Sequence, residues 1–134
     1  MRFGAVTKGN EAFMIKDILA IDDSAAMREI LAATLRAAGY RVTVASDGDE
    51  GLASALAQPF DLVLTDQYMP KRSGLDVIAA LRLEPSYEAT PIFVLTTEDG
   101  DAFKDAARAA GATGWIAKPL DLDTLTDLIA ALHA

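Results

Sequence analysis

Short apolar runs rich in β-branched residues alternate with longer stretches of helical periodicity from about Met14 to the C-terminus, and this rhythm restricts the chain more than any other feature. A strand that is apolar almost throughout has to be covered on both faces. Strands separated each time by a helix-length segment pair in parallel, with the helices as crossovers. The strands read as Asp17–Asp22, Arg41–Ala45, Asp61–Thr65, Pro91–Thr96 and Gly114–Ala117. Between the first two, Ser24 is an N-cap, Met27, Ile30, Leu31, Thr34 and Leu35 recur at helical spacing, and Gly39 ends the run. Asp49–Gln58, Ser73–Leu83, Asp101–Ala110 and Leu122–His133 are read as helices by the same logic, with Phe103 the single large apolar residue of Asp101–Ala110. Five strands and five helices in strict alternation imply an α/β fold, a doubly wound five-stranded parallel sheet with helices on both faces.

Polar residues stand where four of these strands end: Asp22 and Asp23, Asp66, Thr96, and Lys118. Ligands of open α/β sheets bind outside the carboxyl ends of the strands, so these residues converge on one crevice. An aspartate at one strand end is ordinarily a turn former or a helix cap, and Thr96 alone could be a strand-favouring residue. Their joint placement is what departs from ordinary loop chemistry.

At 134 residues the chain holds one sizeable core, so any activity belongs to a single domain. Acidic residues outnumber basic ones 20 to 12, for a net charge of -8, which argues against a nucleic-acid surface and for a basic partner or a metal cation. No cysteine is present, which removes disulfides, thiolate metal sites and thiol nucleophiles and suits a cytoplasmic location. No apolar run is long enough for a membrane span, and residues 1–13 read as a polar tail, with Met14 as an alternative start.

Asp22, Asp23 and Asp66 brought together would repel one another unless a cation sat among them, and a hard divalent ion, Mg²⁺ above all, suits carboxylate ligands. Lys118 offers a point charge to a phosphate oxygen and Thr96 a hydroxyl donor. Asp66 can then act as a nucleophile toward phosphorus, since carboxylates form acyl phosphates and phosphoryl transfer asks mainly for positioning and charge neutralisation.

The segments IDDS (Ile21–Ser24), LVLTDQYMPKRSG (Leu62–Gly74), FVLTT (Phe93–Thr97) and AAGATGWIAKP (Ala109–Pro119) together resemble the receiver domain of bacterial two-component response regulators, close to the stand-alone CheY type. The resemblance runs from about Met14 to the C-terminus, giving a receiver over residues 14–134. It implies the strand order 2-1-3-4-5, carried over from the family and not read from periodicity. It also implies Asp66 as phosphoacceptor, with Asp23, Asp66 and the Tyr68 carbonyl as direct Mg²⁺ ligands and Asp22 acting through water. Lys118 would hold the phosphoryl group, Thr96 would move to bind it, and the donor would be a phosphohistidine on a sensor histidine kinase.

Further implications concern tuning and output. Trp115 stands where the family carries a switch aromatic, although a core aromatic is the plainer reading of the residue by itself. Thr97 sits where the family prefers a very small side chain and competes with Thr96 for the hydroxyl role; the Thr96 spacing is the family-like one. Tyr68 and Glu98 flank the path of a hydrolysing water and would set the phosphate lifetime, and the bond before Pro119 is one that the family holds cis. Lys71 and Arg72 could steer an acidic partner or simply be a solvated loop, and His133 is read as inert. A receiver is a two-state switch and not an enzyme with turnover. Its readout face would comprise Asp101–Ala110, Trp115 and Leu122–His133, with the alanine-rich fourth helix as a mobile element. With no effector segment after Ala134, the expected output is another protein, a flagellar-motor or chemotaxis component first, a histidine phosphotransfer protein or a kinase sink second.

Other functions remain to be weighed. A flavodoxin-like FMN carrier would set its phosphate against Asp22 and Asp23, which would repel it. A small Mg²⁺-dependent phosphatase would place two aspartates at alternate positions after one strand, and IDDS does not. A degenerate receiver used only for binding is not suggested by an intact Asp66, Thr96 and Lys118.

Overall fold

The computed structural model describes residues 14–133. The expected polar tail, residues 1–13, lies outside the described residues. In chain order the elements are β1 (Asp17–Ile21), α1 (Ala25–Ala37), β2 (Arg41–Ala45), α2 (Gly48–Ala57), β3 (Leu62–Asp66), α3 (Gly74–Leu81), β4 (Ile92–Thr96), α4 (Asp101–Ala110), β5 (Gly114–Ala117) and α5 (Leu122–Ala131), with a 3-10 turn at Pro85–Tyr87 before β4. The sheet is parallel throughout, in the order β2-β1-β3-β4-β5, so the expected doubly wound architecture and strand order are those observed. No helix among the described residues is long and apolar enough to cross a membrane.

Alternation along each strand splits the core between the two sheet faces. Ile18 and Ala20 of β1 join Leu62, Leu64, Phe93 and Leu95 beneath α1 and α5, through Leu31, Leu35, Leu125 and Ile129. Leu19 and Ile21 point the other way, into a cluster with Val63, Ile92, Val94 and the α3 residues Val77, Ile78 and Leu81. Burial on both faces holds for β1, β3 and β4 but not for the edge strands. Every β5 residue keeps some exposure, and in β2 Val42 and Ala45 are buried while Thr43 and Val44 are half-covered and Arg41 is exposed. An edge strand lacks a neighbour on one side, so the flanking helices cover it only in part.

The helix boundaries follow their caps. The Ser24 hydroxyl accepts from the Met27 amide, Asp47 from Glu50, Ser73 from Asp76, and Asp121 from Asp123 and Thr124. α3 is shorter than its apolar pattern because Arg82 closes it and turns back. The Arg82 guanidinium donates to the carbonyls of Tyr87 (2.5 Å), Thr90 (2.8 Å) and Gly111 (2.8 Å), tying the turn before β4 to the C-terminus of α4. Gly111 adopts a left-handed φ of 97° there, and a Cβ would lie 2.7 Å from Arg82 Cγ. α5 ends at Ala131, so His133 lies past the helix; its ring packs at 6.1 Å from the Tyr40 ring, a contact unforeseen from sequence.

Replacing Arg82 with Met keeps the aliphatic stem but leaves these carbonyls without their donor. Urea denaturation should show a stability loss of about 1–3 kcal/mol with an unchanged slope. An unaltered midpoint would mean that the clamp is dispensable.

Candidate functional site

The parallel register brings the strand ends to one edge. Asp22 and Asp23 follow β1, Asp66 is the last residue of β3, Thr96 the last of β4, and Lys118 follows β5. Pairing of Thr96 with Ala117 sets Lys118 just beyond the sheet, where its amide donates to the Thr96 carbonyl at 2.8 Å. The Lys118–Pro119 bond is cis.

One carboxylate oxygen from each of Asp22, Asp23 and Asp66 lies within 4.8 Å of the others. Asp22 and Asp66 are buried, 1% and 7% exposed, while Asp23 faces solvent. The Lys118 ammonium donates to Asp66 Oδ1 at 2.9 Å and stands 3.6 Å from Asp22 Oδ2. Asp22 Oδ1 accepts from the Ser24 amide at 2.9 Å, but Oδ2 is buried without a hydrogen-bond partner among the described residues. A buried, unpartnered carboxylate oxygen is costly, and here it points to a cation or water as the missing partner. The donor set, three carboxylates with one oriented oxygen lacking a partner, fits a hard divalent ion.

Backbone geometry beside Asp66 fixes its side chain. The Gln67 amide donates to Asp66 Oδ1 at 2.9 Å, so Lys118 and Gln67 hold the same oxygen. Gln67 is itself buried: its side-chain oxygen accepts from the Leu75 amide at 3.0 Å, and its carbonyl accepts from Gly74 at 2.9 Å. Gly74 packs so tightly that a Cβ would stand 2.3 Å from the Asp66 carbonyl oxygen, a clash with backbone that cannot move aside. The Arg28 guanidinium donates to the Asp22 carbonyl at 2.8 Å. Sequence reading did not single out Gln67, Gly74 or Arg28, because each acts through backbone atoms whose approach only the fold reveals.

The remaining expected residues lie around this cluster. Thr96 is 2% exposed and its hydroxyl accepts from the Glu98 amide at 2.9 Å, whereas Thr97 is exposed. The Tyr68 phenol donates to the Glu98 carboxylate, joining the loops after β3 and β4. Trp115 does not enter the acidic cluster. It is half-buried against the second core cluster, beneath Lys104 and Arg108 of α4. Lys71 and Arg72 are engaged within the fold, 3.5 Å from Asp47 and 2.7 Å from Asp49 at the start of α2.

Two buried aspartates, a third at the surface and a lysine thus meet at the carboxyl edge of a 2-1-3-4-5 sheet. The sequence profile of the response regulator receiver domain matches residues 18–130. The chain belongs to that family. A response regulator protein from Burkholderia multivorans is 62% identical, with a TM-score of 0.77 over 89% of this chain and 95% of that one. The Vibrio cholerae chemotaxis protein CheY4 superimposes with a TM-score of 0.84 at 39% identity, over 89% of this receiver and 99% of that chain. The transcriptional regulatory protein DltR of Streptococcus agalactiae is 40% identical over 108 residues, which are 81% of this chain and 47% of DltR. The receiver thus spans about half the length of the first curated relatives it matches.

Electrostatics in the receiver cleft are unbalanced. Burial pushes the Asp66 carboxyl above the ordinary carboxylate range; the Lys118 hydrogen bond opposes this and the Asp22 charge adds to it. Burial alone would lower the Lys118 ammonium, but its contacts with Asp66 and Asp22 outweigh that and raise it. The Asp66 shift is chiefly the cost of burying a charge, whereas the Lys118 shift reports the two carboxylates beside the ammonium. A carboxyl that ionises less readily folded than unfolded weakens folding as pH climbs above its ordinary value of 3.8, and has no effect well below it, where both states are protonated. Asp66→Asn keeps the oxygen that Lys118 and Gln67 bind. It should therefore raise the thermal midpoint of the metal-free protein at pH 7, and the gain should vanish on acidification below 3.8 in pH-series calorimetry. A lower midpoint at pH 7 would contradict this account.

Proposed function

We propose that this receiver, residues 14–134 with residues 1–13 as a tail, accepts a phosphoryl group on Asp66 from a phosphohistidine of a sensor histidine kinase or a histidine phosphotransfer protein. The observation that carries the reading is the buried Asp66 carboxylate with Oδ1 held by Lys118 and Gln67, beside an Asp22 oxygen with no hydrogen-bond partner among the described residues. Asp66 Oδ2 has no hydrogen bond among the described residues and is the oxygen left to react. It attacks phosphorus, an O–P bond forms as the N–P bond breaks, and the bonding pair stays with the donor imidazole nitrogen. Asp23, Asp66 and the Tyr68 carbonyl would hold Mg²⁺ directly and Asp22 through water. When bound, the ion neutralises charge on the phosphoryl oxygens and the carboxylates.

Lys118 then transfers its hydrogen bond from Asp66 to a phosphoryl oxygen, and Thr96 gives up its contact with the Glu98 amide to donate to another. Phosphorylation thereby adds contacts that exist only in the modified state, which is the differential interaction a population shift requires. Tyr68 and Glu98, joined over the loops beside the cleft, are placed to govern how fast water reaches the acyl phosphate. Trp115 responds to the Thr96 movement, and the face formed by α4, Trp115 and α5 carries the signal to an output protein. Likeness to CheY4 along nearly that whole chain favours a chemotaxis-type output. Relay to a phosphotransfer protein is the second reading, favoured by the intact acceptor set alone.

Incubation with a phosphorylated histidine donor and Mg²⁺ should add a single phosphoryl mass to the intact protein. Asp66→Asn should abolish the gain, and Lys118→Ala should slow it by roughly 10-fold or more, as expected for loss of a charge-assisted contact to the transferring group. No mass gain on the wild-type chain with a competent donor would overturn the proposal.

A further inference from the structure

α4 is held to the body of the protein less firmly than any other helix facing its side of the sheet. Ala107 is its buried residue, and Phe103 is the only large apolar side chain it brings to the core. Arg82 ties its C-terminal end through the Gly111 carbonyl at 2.8 Å, and along its flank it grips Trp115: Lys104 Nζ stands 5.9 Å and Arg108 Cζ 5.2 Å from the ring centroid, so two cations one helical turn apart share one indole. Arg108 also reaches Asp105 at 3.1 Å, an exposed pair that adds little.

At its N-terminal side α4 is connected to the cleft. The Thr96 hydroxyl accepts from the Glu98 amide, and Glu98, Asp99 and Gly100 are the entire link from there to the helix. At its flank α4 meets β5, the strand that ends at Lys118 and so also leads into the cleft. Anything that draws away the Thr96 hydroxyl frees the Glu98 amide and pulls on this short link. What then resists displacement of the N-terminal part of α4, away from the Arg82 bond to the Gly111 carbonyl at its C-terminal end, is its thin apolar contact and the pair of cations over Trp115.

From this geometry we infer that Lys104 and Arg108 act as a latch on Trp115, holding α4 in its unphosphorylated position and opposing the shift that occupancy of the Asp66 site drives. They are positioning residues, touching neither the phosphoryl group nor the metal ligands. The inference rests on the receiver reading of the site and adds to it the element that sets the resting bias of the switch.

The sign of the effect separates the latch from simple electrostatics. Removing two positive charges from an already acidic chain should weaken binding of an anion through the general field. Removing a latch should tighten it, because less free energy is spent in releasing α4. The paired substitution Lys104→Gln and Arg108→Gln keeps most of each stem and loses both charges. Calorimetric titration of beryllofluoride with Mg²⁺ should show roughly 2- to 30-fold tighter binding than wild type, the range such contacts carry. Lys104→Arg with Arg108→Lys, which keeps both cations, should bind like wild type. In a Trp115→Leu background the glutamine pair should make no difference, since there is no ring to hold. Before any ligand is added, emission of the single Trp should already differ between the glutamine pair and wild type.

Equal or weaker binding by the glutamine pair would overturn the latch while leaving the receiver reading intact. Tightening that persists in the Trp115→Leu background would equally overturn it. A wild-type protein that binds no beryllofluoride would overturn the receiver reading itself, and the latch with it.

Discussion

One ammonium set among three carboxylates is the interaction on which the rest of the structure depends. The carboxylate oxygens lie within 4.8 Å of one another, so each ionised pair repels by on the order of a few kcal/mol at the dielectric usual for protein sites. Lys118, at 2.9 Å from Asp66 and 3.6 Å from Asp22, offsets part of that repulsion and no more. Asp22 is left with a buried oxygen that has no hydrogen-bond partner among the described residues, and Asp66 with a carboxyl reluctant to ionise. A protein selected only for stability would not keep such a notch, because apolar or amide residues there would pack without the penalty. Such an imbalance is consistent with a metal site, whose charges a bound cation would complete.

The backbone has to hold these charges in place, and it does so unequally. On the β3 side the loop from Gln67 to Ser73 is stapled three times: Gln67 to Leu75, Gly74 to Gln67, and Arg72 to Asp49. Lys71 even takes a left-handed φ of 75°, uncommon without glycine, within this closed loop. On the β4 side the corresponding link, Glu98 to Gly100, is exposed and retained by the Thr96 hydroxyl and the Tyr68 phenol. Asp66 is therefore anchored to a rigid wall and faces a compliant one.

Much of this was legible in the sequence because parallel sheets impose simple rules. Apolar runs of strand length, the N-cap at Ser24 and the polar residues ending four strands all follow from backbone satisfaction and burial. They located the cleft without coordinates. The strand order did not come from periodicity, which cannot order strands that look alike; it came from family resemblance. Burial on both faces was over-read for β2 and β5, since an apolar run does not announce that it sits at an edge. Lys71 and Arg72 are exposed, as a solvated loop would have them, but their surface pairs with Asp47 and Asp49, like the His133 contact with Tyr40, were not legible because these partners are remote or ambiguous in sequence. The Arg82 clamp was invisible for the same reason, as its acceptors are backbone carbonyls with no sequence signature.

The uneven stiffness also decides where a signal could leave. A new charge on Asp66 can act mechanically only through groups that can give way, and the stapled β3 loop and the core strands cannot do so at low cost. Thr96 can, because its hydroxyl holds a single amide in an exposed link. From there the displaced chain reaches α4, whose contact with the core is narrow and made largely of alanine. Trp115 lies at the junction of that helix with β5, in contact with the helix that starts after Gly100 and on the strand that leads to Lys118. On the proposed reading, direction of output would follow from packing density: the site is built where charge is hardest to accommodate, and the nearest element able to yield would carry the change to the surface.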